Sequence, residues 1–289
     1  MARIAGSMAA TLRGYWTGAE GYQKLLYAVA AFLLVGALFH LGVLAVRGGS
    51  LLGDVSWRKP ILFGEAFGLT SLSIGWVMTF LPKRRKLGWL LASAFALAAV
   101  GEVVLITMQQ WRGVPSHFNG STPFNTAVFA VMGMLIVLAE IVILSVALWS
   151  FFSLEAPRSL KLAIRFGMVL LAVSQVLGNL IIANGGKIYG VAGAIKVPHA
   201  LALHAVQVLT LLAFLVLFTE WSENRRTGLV AVAAAGYAGL VAVAIYQTFN
   251  GLAPFDLSFV AGLVLGVAGL SLTAAYATAA IGLRPFTSS

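Results

Sequence analysis

Apolar residues run through this chain in eight long blocks, separated by short stretches where charge, proline and glycine collect. The blocks fall at 24–46, 60–81, 86–108, 125–152, 159–184, 198–219, 228–249 and 257–282. Crossing a bilayer takes about 20 helical residues, and each block is long enough. The pattern predicts an all-α, polytopic membrane bundle of about eight transmembrane helices. Little chain remains outside the blocks, so the whole of 1–289 reads as a single integral-membrane domain with no soluble module. The first block is too long for a signal-peptide core and lacks a small-residue cleavage site after it, so it reads as a retained span.

Composition agrees. The chain is 60% hydrophobic and 10% charged, against about 25% charged in a typical soluble domain. The net charge of +10 does not point to nucleic acid, because the basic residues gather at helix ends. The run Lys83-Arg84-Arg85-Lys86 reads as a topology signal and an anionic-lipid contact. Of the 19 Lys and Arg residues, one side takes those of the N-terminus, of 83–86, of 158–165, of 225–226 and Arg284. The other takes Arg47, Arg58, Lys59, Arg112, Lys187 and Lys196. Positive charge concentrates in cytoplasmic loops, so both termini are expected in the cytoplasm, in a bacterial inner membrane. The loops that carry Trp, His, Asn and Pro then lie on the outer face. The chain has no cysteine, which excludes disulfides, thiolate ligands, iron–sulfur clusters and a cysteine nucleophile.

The rare ionisable residues inside the blocks carry the functional signal, since a buried charge in a bilayer costs at least about 2.5–3.5 kcal/mol. Counting 1.5 Å of rise per residue, His40, Glu65, Glu102, Asn179 and His204 all fall roughly 8–10 Å below the outer boundary. His117 and His199 lie in or beside the outer loops. Gln109, Gln110, Arg112, Asn119, Thr122 and Asn125 are placed to form a lid, and Arg58, Lys59 and Lys196 to add positive charge at its rim. Lone Asn and Gln residues in membrane bundles commonly do no more than bond neighbouring helices. His199 and His204 are five apart, about 140° around a helix, so no His-x-x-x-His zinc pair is present. Phosphate-loop, dinucleotide, nucleophile-elbow and EF-hand patterns are absent.

The segments WRKPILFGEAFGLT, QQWRGVPSHFNGSTPFN and KVPHALALHAVQ resemble a group of uncharacterised bacterial multi-span proteins over the outer half of spans two to six. That resemblance implies no activity. The eight-span topology is also similar to that of heme A synthases, which implies that such an architecture can hold heme. Those enzymes carry heme-binding histidines on even-numbered helices in two related halves. Here His40 lies on span one and His117 in a loop, and no internal repeat is visible.

Three functions follow as expectations. One is a heme- or transition-metal-dependent membrane enzyme acting on a quinone or isoprenoid. His40 and His204 would then be axial ligands, with Arg58, Lys59 and Arg112 facing propionates. For a non-heme metal the ligands would come from Glu65, Glu102, His117, His199 and His204. The second is a metal-free enzyme on an isoprenoid or lipid, with Glu65 or Glu102 as general acid beside Arg112 and His117. Trp57, Phe63, Phe67, Trp111 and Phe118 would stabilise a carbocation. The third is a proton- or cation-coupled transporter. Membrane lipids and a lipid-soluble small molecule are the expected partners.

Overall fold

The computed structural model of the chain describes residues 2–283. Met1, the side chains of Ala2 and Arg3, and residues 284–289 lie outside the described residues, Arg284 of the charge count among them. A bilayer core has no water to satisfy peptide groups, so a spanning segment must close its own hydrogen bonds. Eight helices here are long and apolar enough to do so. They are α2 (Gly21–Arg47), α3 (Arg58–Val77), α4 (Arg85–Trp111), α5 (Pro123–Ser153), α6 (Arg158–Ala183), α7 (Lys196–Val216), α8 (Glu223–Phe249) and α9 (Phe259–Gly282). The chain is an integral membrane protein of all-α type. Every apolar block of the sequence contains one of these helices, with ends within a few residues of those expected.

Two elements were not legible in the apolar pattern. Helix α1 (Ala2–Thr17) precedes the first span. It mixes Arg13 with Leu12 and Trp16 and is too short and polar to cross. A two-residue hairpin, β1 (Ile188–Tyr189) with β2 (Gly193–Ala194), closes the loop between α6 and α7.

The contacts group the chain into two compact units. One runs from Trp16 to Val146 and holds α2, α3, α4 and most of α5. Its helices alternate in direction. Gln23 near the start of α2 donates to Thr79, two residues past the end of α3 (3.0 Å), and to the Gly75 carbonyl (3.2 Å), while Gly64 near the start of α3 lies against Ala37. Gln23 also accepts from the Glu20 backbone N–H at 2.7 Å, so one buried amide both caps α2 and ties it to α3. Helix α4 runs parallel to α2, with Gly88 against the Tyr22 ring at one end and Trp111 bonded to His40 at the other. Helix α5 returns alongside, packing Val128 and Met132 on Ile106 and Phe63. The ends of α2 and α4 therefore meet the starts of α3 and α5 at one end of this unit, where the 48–57 and 112–122 loops lie.

The second unit combines residues up to Tyr15 with those from Ala147 on. Helices α6 and α7 pack most closely. A Cβ on Gly167 would stand 2.5 Å from the Val206 Cα, so only glycine allows the two backbones this approach. Tyr237 on α8 and Tyr276 on α9 each donate a phenolic hydrogen to an α7 carbonyl, at Leu201 (2.7 Å) and Val208 (2.6 Å). Tyr15 of α1 packs on Phe214 of α7, ring centroids 6.4 Å apart.

Small residues let membrane helices pack closely, and adding a methyl to a filled contact costs about 1–3 kcal/mol. Gly167→Ala is expected to lower the thermal unfolding midpoint in detergent. Gly266→Ala on α9, where a Cβ meets nothing within 4 Å, is expected to leave it unchanged. Equal midpoints for Gly167→Ala and wild type would show that α6 and α7 are not packed this closely.

Candidate functional site

Three polar groupings occupy the loop end of the Trp16–Val146 unit. The first surrounds His40, near the end of α2 and only 7% exposed. Its Nδ1 donates to the Gly36 carbonyl at 2.7 Å. A carbonyl can only accept, so Nδ1 carries the hydrogen, and Nε2 accepts from the Trp111 indole N–H at 3.2 Å. Trp57 stacks on the imidazole at 6.0 Å and meets Trp111 edge-on at 5.1 Å, while the Arg47 guanidinium covers Trp111 at 5.3 Å. With both ring nitrogens engaged, His40 offers no lone pair to a heme iron.

The second grouping is the lid. Gln109 Nε2 donates to Asn125 Oδ1 at 3.1 Å, and Arg112 donates to the same oxygen at 3.0 Å and to Gln109 Oε1. Asn125 Nδ2 donates to Ser121 Oγ at 3.0 Å, which donates to Asn119 Oδ1 at 2.7 Å. Asn119 in turn donates to the Pro115 carbonyl at 2.7 Å. This chain ties the end of α4 to the start of α5. Arg112 lies 4.7 Å over Phe124 and gives its hydrogens to side-chain amides, which marks it as a clamp of the lid.

The third grouping lies on another face of α4. Glu102 is 1% exposed, and neither carboxyl oxygen has a hydrogen-bond partner. It is the only carboxyl group in that condition among the described residues. His117 reaches down from the 112–122 loop, its Nε2 3.8 Å from Glu102 Oε1 and its Nδ1 2.9 Å from Ser116 Oγ. Phe63 (5.3 Å) and Phe129 (6.2 Å) flank the imidazole. Phe118, next in the loop, has a φ of +54°, an unusual and strained setting for a bulky residue. That backbone turn sets its ring on Phe129 at 5.2 Å and fixes the segment carrying His117. Burial first, and the charge of Lys59 second, push the His117 imidazole down to about 4. It is therefore neutral near pH 7.

The other residues singled out by sequence fall elsewhere. Glu65 is half-buried on α3, and no hydrogen bond draws it into the Glu102–His117 pair. Arg58 and Lys59 begin α3, where Lys59 Nζ donates to the Asp54 carbonyl at 2.6 Å. His199 and His204 belong to the second unit. His199 Nδ1 lies 2.8 Å from the Ser174 carbonyl and 3.1 Å from its hydroxyl, the setting of a hydrogen bond between α6 and α7. Among the described residues no three His, Asp or Glu side chains converge to form a metal-binding group. Glu102 and His117 supply two donors and no third joins them.

No family profile, curated protein or solved structure matches this chain.

What the arrangement offers chemically is a carboxyl group without a donor, a neutral imidazole facing it, and aromatic walls. Ser116 and Phe129 were not legible as site residues, and the only signal for Ser116 in the sequence was proximity to His117. Phe118 was expected among the carbocation-facing aromatics, but its strained backbone turn was not.

A group whose folded pKa lies below its unfolded value binds fewer protons when folded, so stability rises with pH across that interval. For His117 the interval runs from about 4 to its ordinary value near 6.5. Taking wild type from pH 7 to pH 5 is expected to lower its thermal midpoint in detergent more than that of His117→Gln. Identical pH slopes would contradict a buried, neutral His117.

Proposed function

We propose that this protein is a membrane-embedded enzyme in which Glu102 and His117 form an acid–base pair acting on a lipid-soluble substrate, of the isoprenoid or quinone kind. The observation that carries the reading is the Glu102 carboxyl, buried on α4 with neither oxygen hydrogen-bonded. Ionisable groups inside a membrane are expensive and usually functional. A carboxyl left incomplete within the protein is completed when a substrate group supplies the missing contact.

The roles follow from position. Glu102 exchanges a proton with the substrate. His117 Nε2, 3.8 Å away, exchanges it with Glu102 once the loop closes by under an ångström, since catalytic contacts commonly tighten only with substrate in place. Ser116 Oγ holds the far side of the imidazole. Phe63, Phe129 and Phe118 exclude water and offer π faces to any positive charge that develops on an apolar substrate. The Gln109–Asn125–Arg112 lid holds the loop over the pair. With positive charge concentrated inside, the pair opens toward the outer face of a bacterial inner membrane.

The test is a comparison of lipid extracts by mass spectrometry, from cells making wild type or Glu102→Gln at equal levels in the membrane. Wild type is expected to deplete one lipid-soluble species and accumulate another. Glu102→Gln is expected to lose at least about 100-fold of that conversion, the usual worth of a general acid or base, and His117→Asn to lose a similar share. Conversion should persist in membranes treated with a metal chelator. Lipid profiles that do not differ between wild type and Glu102→Gln would overturn the assignment.

A further inference from the structure

Away from Glu102, a cleft of about 150 Å³ runs between α2 and α4, lined by Phe32, Leu33, Gly36, His40, Val103, Val104 and Thr107. Phe32 and Val104 at its mouth are exposed. In a spanning helix pair such an exposed apolar lining faces lipid. Phe32, Gly36, His40 and Arg47 follow one another at spacings of four and seven, so they lie along one face of α2. Val104, Thr107 and Trp111 do the same on α4. The two helices run parallel, and His40, which lines the cleft, is bonded to Trp111, which Arg47 covers.

The dimensions suit one lipid chain. From Phe32 to His40 the helix rises about 12 Å, close to half of a hydrocarbon core about 30 Å thick. Arg47 stands about 10 Å further on, at the depth of headgroups. It covers the Trp111 ring and is exposed. Arg58 is half-buried and follows Trp57, which stacks on the same imidazole. With Lys59, the end of α2, the following loop and the start of α3 carry three cations against one acid, Asp54. Two of those cations occupy the first turn of α3, where the helix dipole is already positive and a cation is disfavoured. A phosphate there relieves both repulsions.

We infer that this cleft is a binding site for a single anionic lipid, one acyl or isoprenyl chain lying between α2 and α4 with its phosphate on Arg47 and Arg58. His40, Trp57 and Trp111 then act as the rigid shelf between chain and headgroup. Amphipathic indole rings are suited to that depth, and the two hydrogen bonds of His40 keep the shelf from turning. The site does not depend on Glu102, so it stands or falls separately from the proposed chemistry.

Gly36 provides a direct probe, because a Cβ placed there meets nothing within 4 Å. A leucine there has room for its Cβ and, since Gly36 lines the cleft, would occupy the space of the chain. The experiment is native mass spectrometry of the purified full chain in detergent, titrated with phosphatidylglycerol or phosphatidylcholine. One phosphatidylglycerol is expected to stay bound at concentrations where phosphatidylcholine does not. Arg47→Gln is expected to weaken retention by about fivefold, the worth of one basic residue at a lipid surface. Gly36→Leu should weaken it by at least as much, and Arg13→Gln on α1 should leave it unchanged. Thermal midpoints of the variants are read alongside, and Arg47→Gln, an exposed change, keeps the test open if Gly36→Leu melts early. Equal retention of the two lipids, or wild-type retention by both variants, would overturn the site. So would displacement by millimolar inorganic phosphate, or a second protein copy found crosslinked across the cleft.

Discussion

Everything here depends on the absence of water in the bilayer core. Peptide groups there have no solvent partner, so the spanning segments are helices, and each polar side chain on them must find its partner inside the protein. Most do. Gln23 bonds α2 to α3, His40 is held at both nitrogens, and Gln109 and Asn125 join α4 to α5. His199 bonds the Ser174 segment of α6. These are helix-to-helix fastenings, each worth on the order of 1 kcal/mol in a membrane. Against that background an acid with both oxygens unpartnered, Glu102, is the departure that needs a cause. In the proposed function a substrate group would supply the missing contact.

The eight helices were legible because span length and apolarity are one-dimensional properties. A run of twenty apolar residues has few places to go, and the ends of α2 to α9 fell where proline, glycine and charge said they would. Depth was counted along the helices at a constant rise per residue. What could not be counted was azimuth. His40 and Glu102 share a depth, yet His40 meets α4 through Trp111, whereas Glu102 looks from α4 toward the loop before α5. Their helices are neighbours, and still the two side chains belong to separate groupings. A depth argument merges such residues into one layer.

The same limit explains the difference between a candidate ligand and a satisfied side chain. From sequence, His40, His117 and His199 were all candidate ligands near one boundary. The structure separates them by partner. The Gly36 carbonyl is a local partner, four residues back on the same helix, and spacing alone makes it available. The Trp111 indole lies 71 residues away and the Ser174 hydroxyl 25 away, and no local pattern announces either. Helix α1 escaped notice for a different reason. It alternates small, basic and aromatic residues in a segment with no long apolar run, so length and hydropathy pass over it.

Helix α4 shows how one span serves two environments. Glu102, Ile106 and Gln109 follow at spacings of four and three, which places them on one face. On that face lie Phe63, Val128 and Met132 around Ile106, and the lid bonded to Gln109. Val103, Val104, Thr107 and Trp111 form the adjoining face, toward α2 and the cleft. Counting about 100° per residue, Val104, Thr107 and Trp111 lie roughly 140–200° around the helix from Glu102, with Val103 between. A lipid chain in the cleft would therefore lie one helix face from the acid, separated from it by the body of α4. Passage from one to the other would require α4 to turn, and α4 is fixed at its end by Trp111 on His40 and by Gln109 on Asn125. Trp111 and Gln109 lie about 200° apart around the helix, so rotation would break both hydrogen bonds. On the proposed reading, the cleft and the Glu102–His117 pair are separate sites that share α4 as a common wall, and a substrate would reach Glu102 from its own side.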